Sequence, residues 1–390
     1  MESFKCPVCG NDDVSSIGFF KGKPYCRKCI SFKGQFAEKD FDINTNAKLY
    51  LSYAISDEQK MLSDKLIDNY INGIDTLVYA VTGAGKTEIC LGLIQYCLSQ
   101  SLKVGFAIPR RTICYELSTR FRNLFRDNSV ISVFGGHHKK LQADIVCLTT
   151  HQLFRYENYF DLLIMDEIDA FPYKGNKTLE KLFYRAIRGH YVLLTATPTD
   201  ELKKEYRKPG KDLLELFVRF HHHPLPVPKV ILGGFVKIHY KLLFLLRHYL
   251  RTNKPVLIFV PTIKLSRYLY LFLSLFLKRG TYINSKREEN EEIVDDFRIS
   301  KYRYLVTTAV LERGVTIKDL QVIIFHADHT IYDKYSLIQI AGRAGRKKDA
   351  PEGEVTYIGK RKTKAMEESI IEIENANKEL QNMLQKIQDK

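Results

Sequence analysis

Short apolar runs alternate with stretches of helical spacing twice along the 390 residues. In the first half the runs are Thr76 to Val81, Val104 to Ile108, Val130 to Phe134, Ile145 to Leu148, Leu162 to Met165 and Tyr191 to Leu194. Runs with little polar alternation suit strands covered on both faces, as in a parallel sheet flanked by helices. Between them Ile89, Leu93 and Tyr96 recur at helical spacing, and Thr112 to Phe125 reads as a second helix. The pattern breaks at His221-His-His-Pro224-Leu-Pro226-Val-Pro228, where alternating prolines hold the backbone extended. It then restarts with a helix from Lys237 to Leu250, a strand from Val256 to Val260, an aromatic-rich helix from Leu265 to Leu277 expected in the core, and strands from Tyr304 to Thr308 and Val322 to Phe325. The fold class predicted is α/β, with two parallel-sheet domains at 47–220 and 230–360 joined by a linker at 221–229. A segment at 1–46 and a C-terminal helix at 361–390 stand outside this pattern. In that helix Ile370, Ile373, Asn377, Leu380, Leu384 and Ile387 form a heptad seam that suits either a partner or its own domain.

The junction after the first run reads Ala80-Val-Thr-Gly83-Ala-Gly85-Lys86-Thr87-Glu88, a strand, a glycine turn and a helix. Gly83 and Gly85 let backbone N–H groups close on a phosphate, Lys86 reaches the β and γ phosphates of ATP, and the Thr87 hydroxyl ligates Mg²⁺. A second half of the site is expected at Asp166-Glu167-Ile-Asp169, where an apolar strand ends in acids. There Asp166 would hold the Mg²⁺ and Glu167 would activate water. Thr195 and Thr197 follow the next strand and either contact Glu167 or its neighbours or cap a helix. Gln59, three residues after Ser56, either closes a capping box or bonds an adenine edge, and one side chain can do both. In Gln339-Ile-Ala-Gly342-Arg343-Ala-Gly345-Arg346 the two arginines share a face, which suits a triphosphate with Arg346 as finger and Arg343 beside it.

The charge widens the picture. Sixty Lys and Arg against 45 Asp and Glu leave +15, spread along the chain, which points to a polyanion partner. Loops at strand ends carry Pro109-Arg110-Arg111, Gly135-Gly136-His137-His138-Lys139-Lys140 and Thr149-Thr150, a rim suited to phosphates without base readout. No apolar stretch is long enough to span a bilayer and no secretory signal is present, so an intracellular, cytoplasmic protein is expected. Cys6, Cys9, Cys26 and Cys29 form two CxxC pairs at the spacing of a structural Zn²⁺ ribbon, with Gly10 permitting the knuckle and a hairpin between the pairs.

These motifs resemble those of the superfamily 2 helicases: AVTGAGKT at 80–87, DEID at 166–169, TATP at 195–198 and QIAGRAGR at 339–346. The four-cysteine ribbon, the run from Asp166 to Tyr173 and Glu312-Arg313-Gly314-Val315-Thr316 are similar to the ComFA family of late competence proteins. The resemblance implies two RecA-like domains and a single-stranded-DNA-stimulated ATPase that helps draw in transforming DNA. It also implies a ComFC-like partner and a peripheral place beside the uptake channel at the inner membrane face. It carries ATP contacts onto Gly83, Gly85, Lys86, Thr87, Asp166, Glu167, Gln339, Arg343 and Arg346, and DNA contacts onto Pro109, Arg110, Gly135, Gly136, Thr149, Thr150, Thr262 and Thr307. A duplex-unwinding helicase of the PriA or RecG type, an RNA helicase and an ATP-gated DNA scaffold stand as alternatives.

Overall fold

A computed structural model of the chain describes residues 4–30, 32, 34–137, 139–219, 223–285, 290–308, 317–346 and 349–388. The chain divides into two compact units, Met1–Ala80 with Gly85–Leu216, and Val81–Ala84 with Phe217–Lys390.

The first unit opens on the ribbon hairpin, β1 (Ile17–Phe20) antiparallel to β2 (Lys23–Cys26). Lys21 and Gly22 turn it with φ of 48° and 75°, the doubly positive pair that matches strand twist in a two-residue turn. There follow α1 (Asp57–Ile71), β3 (Asp75–Ala80), α2 (Lys86–Ser99), β4 (Val104–Ile108), α3 (Arg111–Leu124), β5 (Val130–Val133), β6 (Ile145–Thr149), β7 (Phe160–Met165), α4 (Lys177–Ala186), β8 (Ile187–Thr195), α5 (Asp200–Glu205) and β9 (Lys211–Leu216). Seven strands form one sheet in the order β5-β6-β4-β7-β8-β3-β9, all pairs parallel. Strands β4, β6 and β7 are buried at every position, as the unbroken apolar runs require. Leu148, Phe160 and Leu163 from these strands join Phe183 of α4 in one core cluster. The segment after the ribbon is strapped to this unit. Ala37 N–H donates to the Arg155 carbonyl at 2.9 Å, Arg155 Nη1 donates to the Gln35 carbonyl at 2.8 Å, and Asn44 N–H donates to the buried Asp144 carboxylate at 2.9 Å.

The second unit contains β10 (Lys229–Leu232), α6 (Phe235–Arg251), β11 (Val256–Phe259), α7 (Ile263–Ser274), β12 (Gly280–Ile283), α8 (Asn290–Arg298), β13 (Tyr304–Thr307), β14 (Gln321–Phe325), α9 (Lys334–Ala341), β15 (Val355–Gly359) and α10 (Lys364–Gln388). Its six strands are parallel in the order β10-β15-β14-β11-β13-β12. Helix α7 is core on one side only: Leu269 and Leu273 are buried, whereas Tyr268, Leu271 and Leu275 are exposed. Helix α10 folds back on its own unit, burying Met366, Ile373, Ala376 and Leu380. The seam asparagine contributes to this: Asn377 accepts from Leu225 N–H at 2.7 Å and donates to the Leu225 carbonyl at 2.9 Å. The side chains of Leu384 and Ile387 lie outside the described residues, as do His138, His221, His222 and the run from Glu312 to Thr316. No helix among the described residues is long and apolar enough to cross a membrane.

Candidate functional site

In the first unit, parallel pairing puts the carboxyl ends of all seven strands on one edge, where open α/β sheets bind ligands. The adjacent strands β7, β8 and β3 bring together the acids, the threonines and the glycine turn. Gly85, the N-cap of the fourteen-residue helix α2, has φ 82° and, lacking a side chain, makes no capping bond of its own. The left-handed φ of Gly85 strains any other residue, and a Cβ there would lie 2.3 Å from the Gln59 amide nitrogen and displace it. Lys86 Nζ donates to the Ala80 carbonyl at 3.3 Å, folded back over the turn. The glycine turn and helix start therefore fit a triphosphate.

The acidic run is held by short bonds. Asp166 N–H donates to the Ala107 carbonyl at 2.9 Å, and the Asp166 carboxylate accepts from Glu167 N–H at 2.8 Å. Glu167 has φ 58°, a left-handed conformation that non-glycine residues adopt rarely. Thr195 Oγ1 and Thr197 Oγ1 donate to the two oxygens of Asp169 at 3.1 and 2.7 Å. The threonines thus reach a neighbour of Glu167, while Thr199 caps α5. At Gln59 the capping box is present: its Oε1 accepts from Ser56 N–H at 3.0 Å and its N–H donates to Ser56 Oγ at 3.3 Å. Its amide also faces Gly85, so the side chain belongs to both helix start and glycine turn.

The other half of the edge, β5, β6 and β4, carries the basic and glycine loops. Arg110 is the N-cap of α3, Gly135 and Gly136 are exposed, and Pro109, Thr149 and Thr150 are buried. Arg111 stacks its guanidinium on Phe134 at 5.3 Å, and Phe134 stacks on the exposed ring of His137 at 5.0 Å. In the second unit Thr262 caps α7 by accepting from Leu265 N–H at 3.2 Å, while Thr307 is buried and donates to the Thr308 carbonyl at 2.9 Å. Gln339 and Arg343 are buried on and beyond α9, and Arg346 Nε donates to the Gly342 carbonyl at 3.1 Å.

The four ribbon sulfurs lie within 4.8 Å of one another. Cys6 and Cys29 are 3.8 Å apart, as are Cys9 and Cys26. Tetrahedral Zn²⁺ with Zn–S near 2.3 Å places its sulfurs about 3.8 Å apart, so the donor set fits that ion. Gly10 takes φ 62° and donates to the Cys6 carbonyl at 2.8 Å, which closes the knuckle. Burial and the facing Cys9 thiol push the Cys29 thiol up, a like-charge conflict that a cation would relieve. Lys181 on α4 fastens the knuckle by donating to the Gly10 carbonyl at 3.1 Å.

Two features escape motif reading. Glu88, just after the glycine turn, pairs with Arg120 at 2.5 Å and accepts from Tyr53 OH at 3.2 Å. Arg219, an isolated arginine in an apolar run, is fully buried. No spacing rule marks either, because both depend on partners distant in sequence.

Comparison with known proteins agrees with this geometry. The DEAD/DEAH box helicase family matches residues 60–204, and the helicase conserved C-terminal domain matches 240–348. Among solved structures, Dbp5 of S. cerevisiae, bound to RNA and ADP BeF3, superposes with a TM-score of 0.60 at 17% identity, covering 83% of this chain and 92% of that one. The DEAD-box helicase Mss116, bound to ssRNA and UDP-BeF, gives a TM-score of 0.62 at 17% identity, covering 82% and 77%. Two RecA-like parallel-sheet domains with these matches define an ATPase of the superfamily 2 helicase type. The competence protein ComFA of Bacillus subtilis is 31% identical over 93% of this chain and 83% of its own length. That of Streptococcus pneumoniae is 33% identical over 96% and 90%. The chain belongs to the ComFA family of competence proteins.

Proposed function

We propose that the protein is an ATP-dependent translocase on single-stranded DNA that assists uptake of transforming DNA. The observation that carries this reading is the division of one sheet edge, with glycine turn, acids and threonines at β7-β8-β3 and glycine-rich, basic loops at β5-β6-β4. ATP would lie on the α2 amides with Lys86 on its β and γ phosphates. Thr87 and Asp166 would hold Mg²⁺, which neutralises phosphate charge when bound. Glu167 orients water, Gln59 faces the nucleotide, and Gln339, Arg343 and Arg346 act on the phosphates from the second domain. Pro109, Arg110, Gly135, Gly136, Thr149, Thr150, Thr262 and Thr307 follow the strand, with buried threonines contributing main chain rather than hydroxyls. Zn²⁺ in the ribbon is structural. By family resemblance a ComFC-like protein and the uptake channel at the inner membrane face are the partners, and the protein works in the cytoplasm beside that membrane.

ATP turnover measured against single-stranded DNA, duplex DNA and RNA at several salt concentrations tests the proposal. Single-stranded DNA should stimulate most, and log affinity should fall with log salt by about 0.7 per phosphate contact. Lys86→Ala should abolish turnover while retaining DNA binding. Greater stimulation by RNA, or no polynucleotide stimulation, would overturn the reading.

A further inference from the structure

Arg219 makes four hydrogen bonds, all to main-chain carbonyls of the second unit. Nη1 donates to Ala344 at 3.1 Å and Gly345 at 2.7 Å, Nη2 to Gly342 at 3.2 Å, and Nε to Thr82 at 3.1 Å. Three of these acceptors lie at or just past the end of α9, where a helix leaves carbonyls without intrahelical partners and carries its negative dipole end. Glycine or water ordinarily serves there, whereas a buried cation is costly. Burial, with the like charge of Arg346 adding to it, pushes Arg219 down to about 9, which leaves it charged at neutral pH.

Its placement explains why such a group would be kept. The Gly342 carbonyl that accepts from Arg219 also accepts from Arg346 Nε, at 3.1 Å, so one oxygen joins the two guanidinium groups. The turn between them is tightly confined. Gly345 has φ 63°, and a Cβ there would lie 2.2 Å from the Pro351 carbonyl oxygen. A Cβ on Gly342 would come 2.7 Å from Thr82 Cβ. A turn of two glycines and two arginines has little intrinsic stiffness, and Arg219 supplies the donors that set its peptide planes.

We infer that Arg219 is a positioning residue: its buried guanidinium gathers the Gly342, Ala344 and Gly345 carbonyls and so sets the direction in which Arg343 and Arg346 present their charge. The inference rests on the proposed phosphate-facing role of those two arginines. Arg219 touches no substrate; it acts through the turn.

The test is a double-mutant cycle on steady-state ATP turnover of the full chain at saturating polynucleotide, using Arg219→Gln, Arg346→Gln and the pair. Arg219→Gln should lower kcat at least tenfold, by a larger factor than it changes KM for ATP, since three of its four bonds hold the arginine turn and one holds the Thr82 carbonyl of the glycine turn. The pair should be no slower than Arg346→Gln alone, within twofold, because one group works through the other. Arg219→Lys should restore part of kcat and guards against misfolding of the glutamine variant. Losses that multiply in the pair, or wild-type kcat in Arg219→Gln, would overturn the inference. Wild-type turnover in Arg346→Gln would overturn it together with the reading of the arginines, whereas failure of the inference alone leaves Arg346→Gln slow and Arg219→Gln fast.

Discussion

Removing one hydroxyl tests how the acidic run is held. Thr197 Oγ1 donates to Asp169 at 2.7 Å and Thr195 Oγ1 at 3.1 Å, and both threonines are buried. Thr197→Val keeps shape and volume but withdraws the shorter of two charge-assisted bonds, a loss of about 1.5–3 kcal/mol. For a unit of this size each kcal/mol moves Tm by about 2–4 °C, so a fall of roughly 3–12 °C is expected. Thr197→Ser, which keeps the donor, should lose far less. Thr195→Val combined with Thr197→Val should depart from additivity, because both act on one carboxylate and Thr197 N–H donates to Thr195 Oγ1 at 3.0 Å. Circular dichroism melts of wild type, the two Thr197 variants, Thr195→Val and the double variant measure this, with ATP turnover followed in parallel. If the bonds also transmit nucleotide state, polynucleotide stimulation should drop in Thr197→Val while KM for ATP stays. A Tm within about 1 °C of wild type would refute the assigned strength of the bond.

Three further predictions follow from local geometry. Cys26→Ser removes one of four thiolates, so zinc per chain by elemental analysis should collapse. Amide exchange should show residues 4–29 losing protection, while 35–46, bonded to Arg155 and Asp144, keep theirs. Gly345→Ala forces a side chain into left-handed backbone against the Pro351 carbonyl, and should destabilise the second unit by more than the roughly 1–2 kcal/mol of the backbone alone, read by denaturant unfolding. Asn377→Leu leaves the Leu225 N–H and carbonyl without their partner at a cost of about 1–3 kcal/mol, so limited proteolysis near residue 225 should accelerate.

The strands that can be read from sequence are those buried on both faces. β4, β6 and β7 appear as apolar runs because helices cover them on each side. β9, with Lys211, Asp212 and Glu215 in six residues, lies at the sheet margin and carries charges a central strand would exclude, so no run announces it. β15 is fully buried, yet only five residues long and preceded by the glycine-containing segment after Arg346, and it too passes unseen. The seam of α10 was ambiguous because a heptad pattern records that one face is covered and not what covers it. The bonds from Asn377 to Leu225 and from Tyr357 to Ser369, with the burial of Ile373 and Leu380, identify the cover as the chain itself.

The site shows the same division at finer scale. Glycine turn, acids and cysteine pairs are legible because phosphate, Mg²⁺ and Zn²⁺ chemistry demands particular residue types at fixed spacing. At Gln59 the capping box is present and the amide nitrogen lies beside Gly85, an arrangement that leaves the side chain able to serve both cap and nucleotide, as its spacing allowed. Arg219 lies at the opposite extreme. Its partners are carbonyls, which every residue owns, so nothing in the identities of residues 342–345 advertises an arginine more than a hundred positions earlier. A group that works through main-chain acceptors leaves its trace only as an isolated charge in an apolar run. A buried charge must be compensated, and at Arg219 the compensation is the set of carbonyls that shapes the arginine turn.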